Sequence, residues 1–334
     1  MIDYDFITDF EIKLQINLNE IFIKIKQNFT QQTPIAVAVS GGVDSLALVI
    51  SLKRIGFSSL YAIIVNHNLR QNSVTEAENV SKLLHSFEIE NTILNWDGIF
   101  KNNMEEEARN ARYELLINEC KAKKINYVAL GHHLNDQVET FFLNLERGSG
   151  VDGLCCMPQS LVKNEICFLR PFLNFKKRDI VRYLTILNIK WFEDETNKNT
   201  DLKRNLIRSI LQSIADKELV AERVFTTVSF MQEAKEVLDG VINIAYEKAC
   251  FFEDNLCQIS ISLLAQEKVY VRKAILSKVL QKMQCSKTKP RLDDVLKVLD
   301  FINNDDNVEI LFNKLKLHKK NGYLIILKSD DKTL

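Results

Sequence analysis

The amino-acid sequence predicts an α/β fold: a Rossmann-like parallel sheet with helices on both faces, followed by a smaller, mainly helical domain that ends in short strands. Three observations predict it. Short apolar runs alternate with helical patterns through the first part of the chain, which is the signature of βαβ units. Polar clusters follow the ends of three such runs, at Ser40-Gly41-Gly42, Asn66-His67 and Gly131-His132-His133, where parallel sheets hold their ligands. From about residue 206 the pattern turns helical, which sets domains at 1–215 and 216–334.

Residues 11–28 mix helical and alternating signals and are read as a leading helix. The run IAVAV (35–39) is a buried strand, followed by a Gly-rich turn and a helix over 44–55. SLYAIIVNH (59–67) is a second buried strand, 74–87 a helix, and ENTILNW around Ile93 a third strand. Residues 103–122 read as a helix with acidic residues in its first turn, where the macrodipole favours them. NYVAL (126–130) is the next strand and HHLNDQVETFFLNLE (132–146) the next helix. Beyond the boundary, helix runs through 206–249 and again over roughly 262–302. The stretch 308–328 reads as two or three short strands with Asn321-Gly322 as a hairpin turn.

Composition bounds the function. Lys plus Arg and Asp plus Glu both number 44 in 334 residues, so any nucleic-acid surface must come from local segregation of charge. Seven Cys without a C-x-x-C pair are expected to be reduced thiols, with neither a disulfide framework nor a zinc or iron–sulfur site. The acidic N-terminus lacks a basic segment followed by an apolar run, and no apolar stretch is long enough to span a membrane. A cytoplasmic protein without membrane attachment is expected.

Four constellations carry chemistry. The loop SGGVDS, comprising Ser40, Gly41, Gly42, Val43, Asp44 and Ser45, joins a buried strand to a helix. Its backbone N–H groups and the helix dipole form an anion nest, and its glycines permit a tight turn and close ligand approach. It lacks the lysine of a G-x-x-x-x-G-K-[ST] loop and carries an aspartate instead. Asp44 meets a phosphate favourably only through a cation, so it implies Mg²⁺ or a structural hydrogen bond to the turn.

The second is GHHLNDQVET (131–140), in which Asp136, Glu139 and Thr140 share one helical face. Two carboxylates there suit Mg²⁺ or a cationic amine; a helix cap with acidic first-turn residues is the structural alternative. The third places Arg109 and Arg112 on one helical face, suited to phosphates or nucleic acid, with Glu105–Arg109 pairing as the alternative. The fourth runs from 163 to 208, with eleven Lys or Arg against six Asp or Glu and interleaved Phe172, Phe175, Tyr183, Trp191 and Phe192. That composition suits an RNA surface that stacks bases, and equally a solvated helix with core aromatics.

SGGVDS resembles the pyrophosphate-binding loop of the PP-loop ATPases, which cleave ATP between the α- and β-phosphates. The wider set resembles the tRNA(Ile)-lysidine synthase family. It comprises NHNLRQNS (66–73), EEEARNARYELL (105–116), GHHLNDQVETFFLNLERGSGVDGL (131–154), LRPFL (169–173), WFEDETN (191–197) and RNLIRSIL (204–211). The tail, with VYVRKAIL (269–276), is similar to the family's second domain more loosely, and an extra C-terminal domain of longer members is expected to be absent. Asn66 and Asn68 stand where the family usually shows Asp and Gly, Asn135 replaces a common Asp, and Glu195 a frequent Pro.

The resemblance implies an ATP-dependent ligase of tRNA modification, acting on a tRNA(Ile) with a CAU anticodon and on free L-lysine. ATP adenylates the C2 oxygen of the wobble cytidine, and the lysine ε-amine displaces AMP to give lysidine. The amides of 40–45 would hold pyrophosphate. Asp44 and Asp136 would hold Mg²⁺, and Asp136 and Glu139 alternatively the lysine ammonium. His132 and His133 would orient the cytosine or stabilise developing charge. Arg109, Arg112, Arg204 and Arg208 would contact phosphate or tRNA, and a homodimer is left open. Rivals are a tRNA 2-thiolation enzyme, which is expected to need the cysteines missing here, and a tRNA-binding protein without catalysis.

Overall fold

In the computed structural model, residues 3–66, 73–96, 98, 104–192, 202–213, 216–286, 289–304 and 309–328 are described. The chain opens with α1 (Tyr4–Lys24), longer at its N-terminus than the mixed pattern suggests because the Asp3 side chain accepts the Phe6 N–H at 3.1 Å and caps it. Ile7, Phe10, Leu14, Leu18, Ile21 and Phe22 recur at helical spacing and are all buried.

Strand β1 (Ile35–Val39) leads through the Gly-rich turn into α2 (Val43–Arg54), followed by β2 (Leu60–Asn66), α3 (Ser73–Ser86), β3 (Glu90–Asn95), α4 (Met104–Lys123) and β4 (Tyr127–Ala129). Then come α5 (Leu134–Glu146), the single turn α6 (Val151–Leu154), β5 (Ser160–Lys163), β6 (Ile166–Leu169), α7 (Lys177–Ile186), α8 (Leu202–Ser213) and α9 (Lys217–Ala249). The first sheet has the order β3-β2-β1-β4-β6-β5, parallel throughout except for β5, which runs antiparallel to β6. Neither β5 nor β6 was expected. At four residues each they are too short for periodicity to separate strand from loop.

β1 is an unbroken apolar run because both its faces are covered. Ile35, Val37 and Val39 join a core with α1, α2, α3 and α7, whereas Ala36 faces a second core built on Tyr113, Leu116, Ile117 and Cys120 of α4. The chain turns from β1 to β2 and β3 on one side and to β4 and β6 on the other. The crevice between the ends of β1 and β4 is therefore the topological switch point, the usual ligand position in such sheets. Ser40 and Gly131 lie there.

The basic segment's aromatics resolve into core. Phe172, Phe175 and Tyr183 are fully buried and pack around Phe10 of α1, with ring centroids at 5.6, 4.7 and 4.2 Å. They are unavailable for stacking on bases, because α1 supplies the apolar face that they cover. Trp191 and Phe192 pack against the same core. Beneath it, Asn17 donates to the Pro171 carbonyl at 2.7 Å and to Asn174 Oδ1 at 2.6 Å, while Asn174 Nδ2 returns a bond to Asn17 Oδ1 at 3.0 Å. This buried amide pair fixes the turn that leads into α7.

The chain separates into two units, 1–232 and 233–334, within α9. The expected border at 215/216 falls instead between α8 and α9. The first half of α9 packs on the first unit: Val224 and Val228 meet Val138 of α5, and Gln232 Nε2 donates to the Cys155 carbonyl at 2.8 Å.

The second unit adds β7 (Cys250–Glu253), β8 (Leu256–Ser260), α10 (Ile261–Gln266), α11 (Val269–Met283), α12 (Leu292–Asn303), β9 (Ile310–Phe312), β10 (Leu315–Lys320) and β11 (Tyr323–Lys328). Its antiparallel sheet has the order β7-β8-β11-β10-β9, larger than expected because the β7–β8 hairpin precedes the helices. Asn321 and Gly322 turn β10 into β11 with φ of 51° and 78°, the left-handed pair that a two-residue hairpin requires. Among the described residues no helix is long and apolar enough to cross a membrane.

Asn17→Ala should leave the Pro171 carbonyl and the Asn174 amide unpartnered in the core, lowering stability by about 1–3 kcal/mol. Urea unfolding midpoints of the two chains check this.

Candidate active site

The loop after β1 is held by its own serines. Ser40 N–H donates to Ser45 Oγ at 3.1 Å, Ser45 Oγ donates to the Gly42 carbonyl at 3.1 Å, and the two hydroxyl oxygens lie 3.3 Å apart. Gly41 has φ +83°, and a β-carbon there would sit 2.6 Å from Val80 Cγ2, so the position admits glycine alone. Its carbonyl accepts the Phe192 N–H at 3.0 Å. The loop thus presents the first-turn amides of α2, which have no carbonyl partner within the helix.

The loop after β4 is pressed against it. A β-carbon on Gly131 would lie 3.0 Å from the Asp44 carbonyl carbon and 3.1 Å from the Ser45 nitrogen. His133, two residues on, N-caps α5: its Nδ1 accepts the Asn135 N–H at 3.2 Å, and its own N–H donates to Asp136 Oδ2 at 2.9 Å. With Nδ1 engaged, the ring proton resides on Nε2, which stands 3.6 Å from Asp44 Oδ1 and 3.7 Å from Asp136 Oδ2. One buried imidazole therefore faces the two carboxylates from the two loops.

Burial alone would raise the Asp136 carboxyl, but His133, His132, the His133 backbone N–H and Lys177 together hold it below the usual carboxylate range. His132 is half-buried, with Nδ1 enclosed and without a hydrogen-bond partner. Burial pushes its pKa down to about 4, with Arg170 and Arg109 adding to the effect against the pull of Asp136. His132 is therefore a neutral imidazole at pH 7.

The cation facing Asp44 comes from another element. Lys177 Nζ at the start of α7 donates to both Asp44 oxygens, at 2.7 and 2.6 Å. Glu139 is buried and likewise gripped by Arg208 of α8, through Nε at 2.6 Å and Nη2 at 3.0 Å.

Residues 10–214 match the PP-loop domain family, an ATP-binding domain. The chain is 32% identical over 306 residues to the tRNA(Ile)-lysidine synthase of Wolbachia pipientis wMel, covering 89% of this chain and 71% of that protein. It is 31% identical over 329 residues to the tRNA(Ile)-lysidine synthase of the Wolbachia of Brugia malayi, covering 95% and 76%. The chain belongs to the tRNA(Ile)-lysidine synthase family. In fold it is similar to the U34-tRNA thiolase NcsA of Methanococcus maripaludis, with a TM-score of 0.58 and 18% identity over 69% of this chain and 79% of that one.

The residues expected from the family resemblance fall into groups. Ser40, Gly41, Gly42, Val43, Asp44 and Ser45 form the loop, and His133 and Asp136 join it across the crevice. Glu139 and Arg208 engage each other one turn further along α5. Arg109 and Arg112 occupy exposed positions of α4, with the Arg109 guanidinium 6.0 Å from the Tyr113 ring centroid. The Arg204 side chain, His67 and Asn68, and residues 193–197 with Glu195 lie outside the described residues. Asn66, at the end of β2, donates to Asn95 Oδ1 at 3.1 Å.

Sequence reasoning missed Lys177. The signal was present in two halves: a loop with an acid and no lysine, and a run of three cations after LRPFL. Only the fold joins them.

Gly131→Ala forces a methyl group into backbone that cannot swing aside, and should weaken ATP binding by roughly tenfold or more as the loops part. Titration calorimetry with ATP reads this. His132 binds its proton near pH 4 in the fold against 6.5 when unfolded. Its contribution is thus whole above pH 6.5 and is lost as the pH falls toward 4, by up to about 1.4 kcal/mol per pH unit. In His132→Gln, the stability difference between pH 7 and pH 5 measured by urea unfolding should shrink accordingly.

Proposed function

We propose that this chain joins free lysine to C2 of the wobble cytidine of a CAU-anticodon tRNA(Ile), through an adenylate formed from ATP. The products are lysidine, AMP and pyrophosphate, and the enzyme is an ATP-dependent ligase. The observation that carries the reading is the convergence of Asp44, His133 and Asp136 at the mouth of a phosphate-binding loop in a chain of this family.

The amides of 40–45 bind the β- and γ-phosphates and keep hold of them as pyrophosphate leaves, so the charge that develops meets oriented dipoles. The cytidine C2 oxygen attacks the α-phosphorus, and its orientation falls to His132 and His133 at the end of β4. Asp136, ionised at neutral pH, attracts the lysine ammonium and takes its proton as the amine turns nucleophile. The amine bonds to C2, and the C2–O bond breaks as AMP departs. Glu139, already paired with Arg208, acts as a positioning residue that ties α5 to α8.

Mg²⁺ takes one or two carboxylates and completes its shell with water and phosphate oxygens. Asp44 would hold it, with Asp136 left to the lysine ammonium, and when bound it would neutralise phosphate charge. Arg109 and Arg112, exposed on α4, supply cations for the tRNA backbone.

A thiolation enzyme is the second reading, prompted by the likeness to a thiolase fold. The thiols disfavour it. Burial pushes Cys120, Cys156, Cys250 and Cys257 up to about 12, which keeps them protonated and poor as nucleophiles; the chain also has no C-x-x-C pair.

Incubation with tRNA(Ile), ATP and labelled lysine should place label in the tRNA only when lysine and ATP are both present. ATP turnover without labelling sinks the ligase reading. Asp136→Asn should lower the labelling rate roughly 10²-fold or more. Asp44→Ala should abolish adenylation while tRNA affinity, followed by filter binding, stays within about twofold.

A further inference from the structure

The bond between Lys177 and Asp44 poses a problem for nucleotide binding. Asp44 stands beside the first-turn amides of α2, and its two oxygens already receive one ammonium, at 2.7 and 2.6 Å. A metal ion binding there competes with the ammonium for the same two oxygens. The loop, for its part, has no lysine of its own.

Its position is built. The backbone before α7 is tied to α5, where Leu134 N–H donates to the Phe175 carbonyl at 3.0 Å and Lys177 N–H to Asn135 Oδ1 at 3.4 Å. The turn itself is clamped to α1 through Asn17 and Asn174. The neighbouring cations have other partners: Lys176 pairs with Glu222 at 2.6 Å and Glu218 at 3.6 Å, and Arg178 pairs with Glu218. Of the three consecutive cations, Lys177 is the one that faces the loop.

We propose that Lys177 is the phosphate-binding lysine of this loop, supplied from a separate helix, and that it exchanges Asp44 for phosphate oxygens when the magnesium nucleotide binds. While on Asp44 it neutralises a charge that would otherwise repel an arriving nucleotide. When a divalent cation takes Asp44, the ammonium passes from one anion to another at short range, so little new desolvation is needed. A flexible four-carbon stem and a compact ammonium suit such an exchange better than a planar guanidinium fixed in a fork. The inference rests on the reading of this loop as an ATP site.

The test uses the full chain, Lys177→Met and Lys177→Arg, with α,β-methylene ATP as the non-cleavable probe. Calorimetry at saturating Mg²⁺ should show affinity roughly 10- to 100-fold weaker in Lys177→Met, the usual range for a lost charged hydrogen bond, and substantially restored in Lys177→Arg. Without nucleotide, Mn²⁺ binding followed by electron paramagnetic resonance should tighten in Lys177→Met, because its competitor for Asp44 is gone. A merely structural role for Lys177 does not produce opposite changes in nucleotide and metal affinity. Equal nucleotide affinity in Lys177→Met and the parent chain overturns the inference and leaves the ATP reading standing. Weaker nucleotide binding in both variants without a gain in Mn²⁺ affinity also overturns it, and reduces Lys177 to a prop for Asp44. Absence of nucleotide binding by the parent chain overturns both readings.

Discussion

The site depends on one backbone contact: the loop after β4, at Gly131, lies so close to the peptide of Asp44 and Ser45 that a β-carbon there would sit only 3.0–3.1 Å from it. Because β1 and β4 are neighbours in the sheet, their two loops share one crevice. Close approach at Gly131 makes that crevice narrow enough for a single imidazole to reach both. His133 then faces Asp44 on one side and Asp136 on the other, and its capping of α5 fixes the geometry twice over. The chain after Leu134 is tied to the turn before α7, which carries Lys177 to the same point. A sheet, two loops and a distant helix thus converge through main-chain bonds.

Charge follows from that convergence. Each acid in the crevice has its own cationic or histidine neighbour: Lys177 on Asp44, Arg208 on Glu139, His133 beside Asp136. Buried carboxylates are costly unless paired, and these pairings offset that cost. Under the proposed exchange of Lys177 from Asp44 to phosphate, substrate binding would redistribute charges already present. Asp44 and Asp136 stand near the mouth with part of their surface exposed, whereas Glu139 is more deeply enclosed by its arginine.

The fold alone leaves the chemistry open. A thiolase shares it at 18% identity, and superfolds of this kind host unrelated reactions. What separates the readings is side-chain chemistry: carboxylates and histidines at the switch point, and cysteines that burial keeps protonated. Family membership and the residues of the crevice agree, and neither would suffice without the other.

The parallel sheet around β1 was legible because a strand covered on both faces must be apolar throughout, and IAVAV and YAIIV admit little else. The loop 40–45 was legible for a related reason, since a tight turn at a helix N-terminus demands particular residues in a particular order. The Asn321-Gly322 hairpin followed from the backbone angles that these two residues tolerate. The short strands β5 and β6 escaped, because four residues carry no period and only pairing, of β6 with β4 and of β5 with β6, makes them part of the sheet. Phe172, Phe175 and Tyr183 read equally as base-stacking or core residues until α1 was seen to cover them. The partnerships of Lys177 with Asp44, 133 residues apart in the chain, and of Arg208 with Glu139, 69 apart, were decided by tertiary structure alone. Local sequence sets what a segment can form and which groups it offers. Which charges meet depends on sheet order and helix packing, and those are properties of the whole chain.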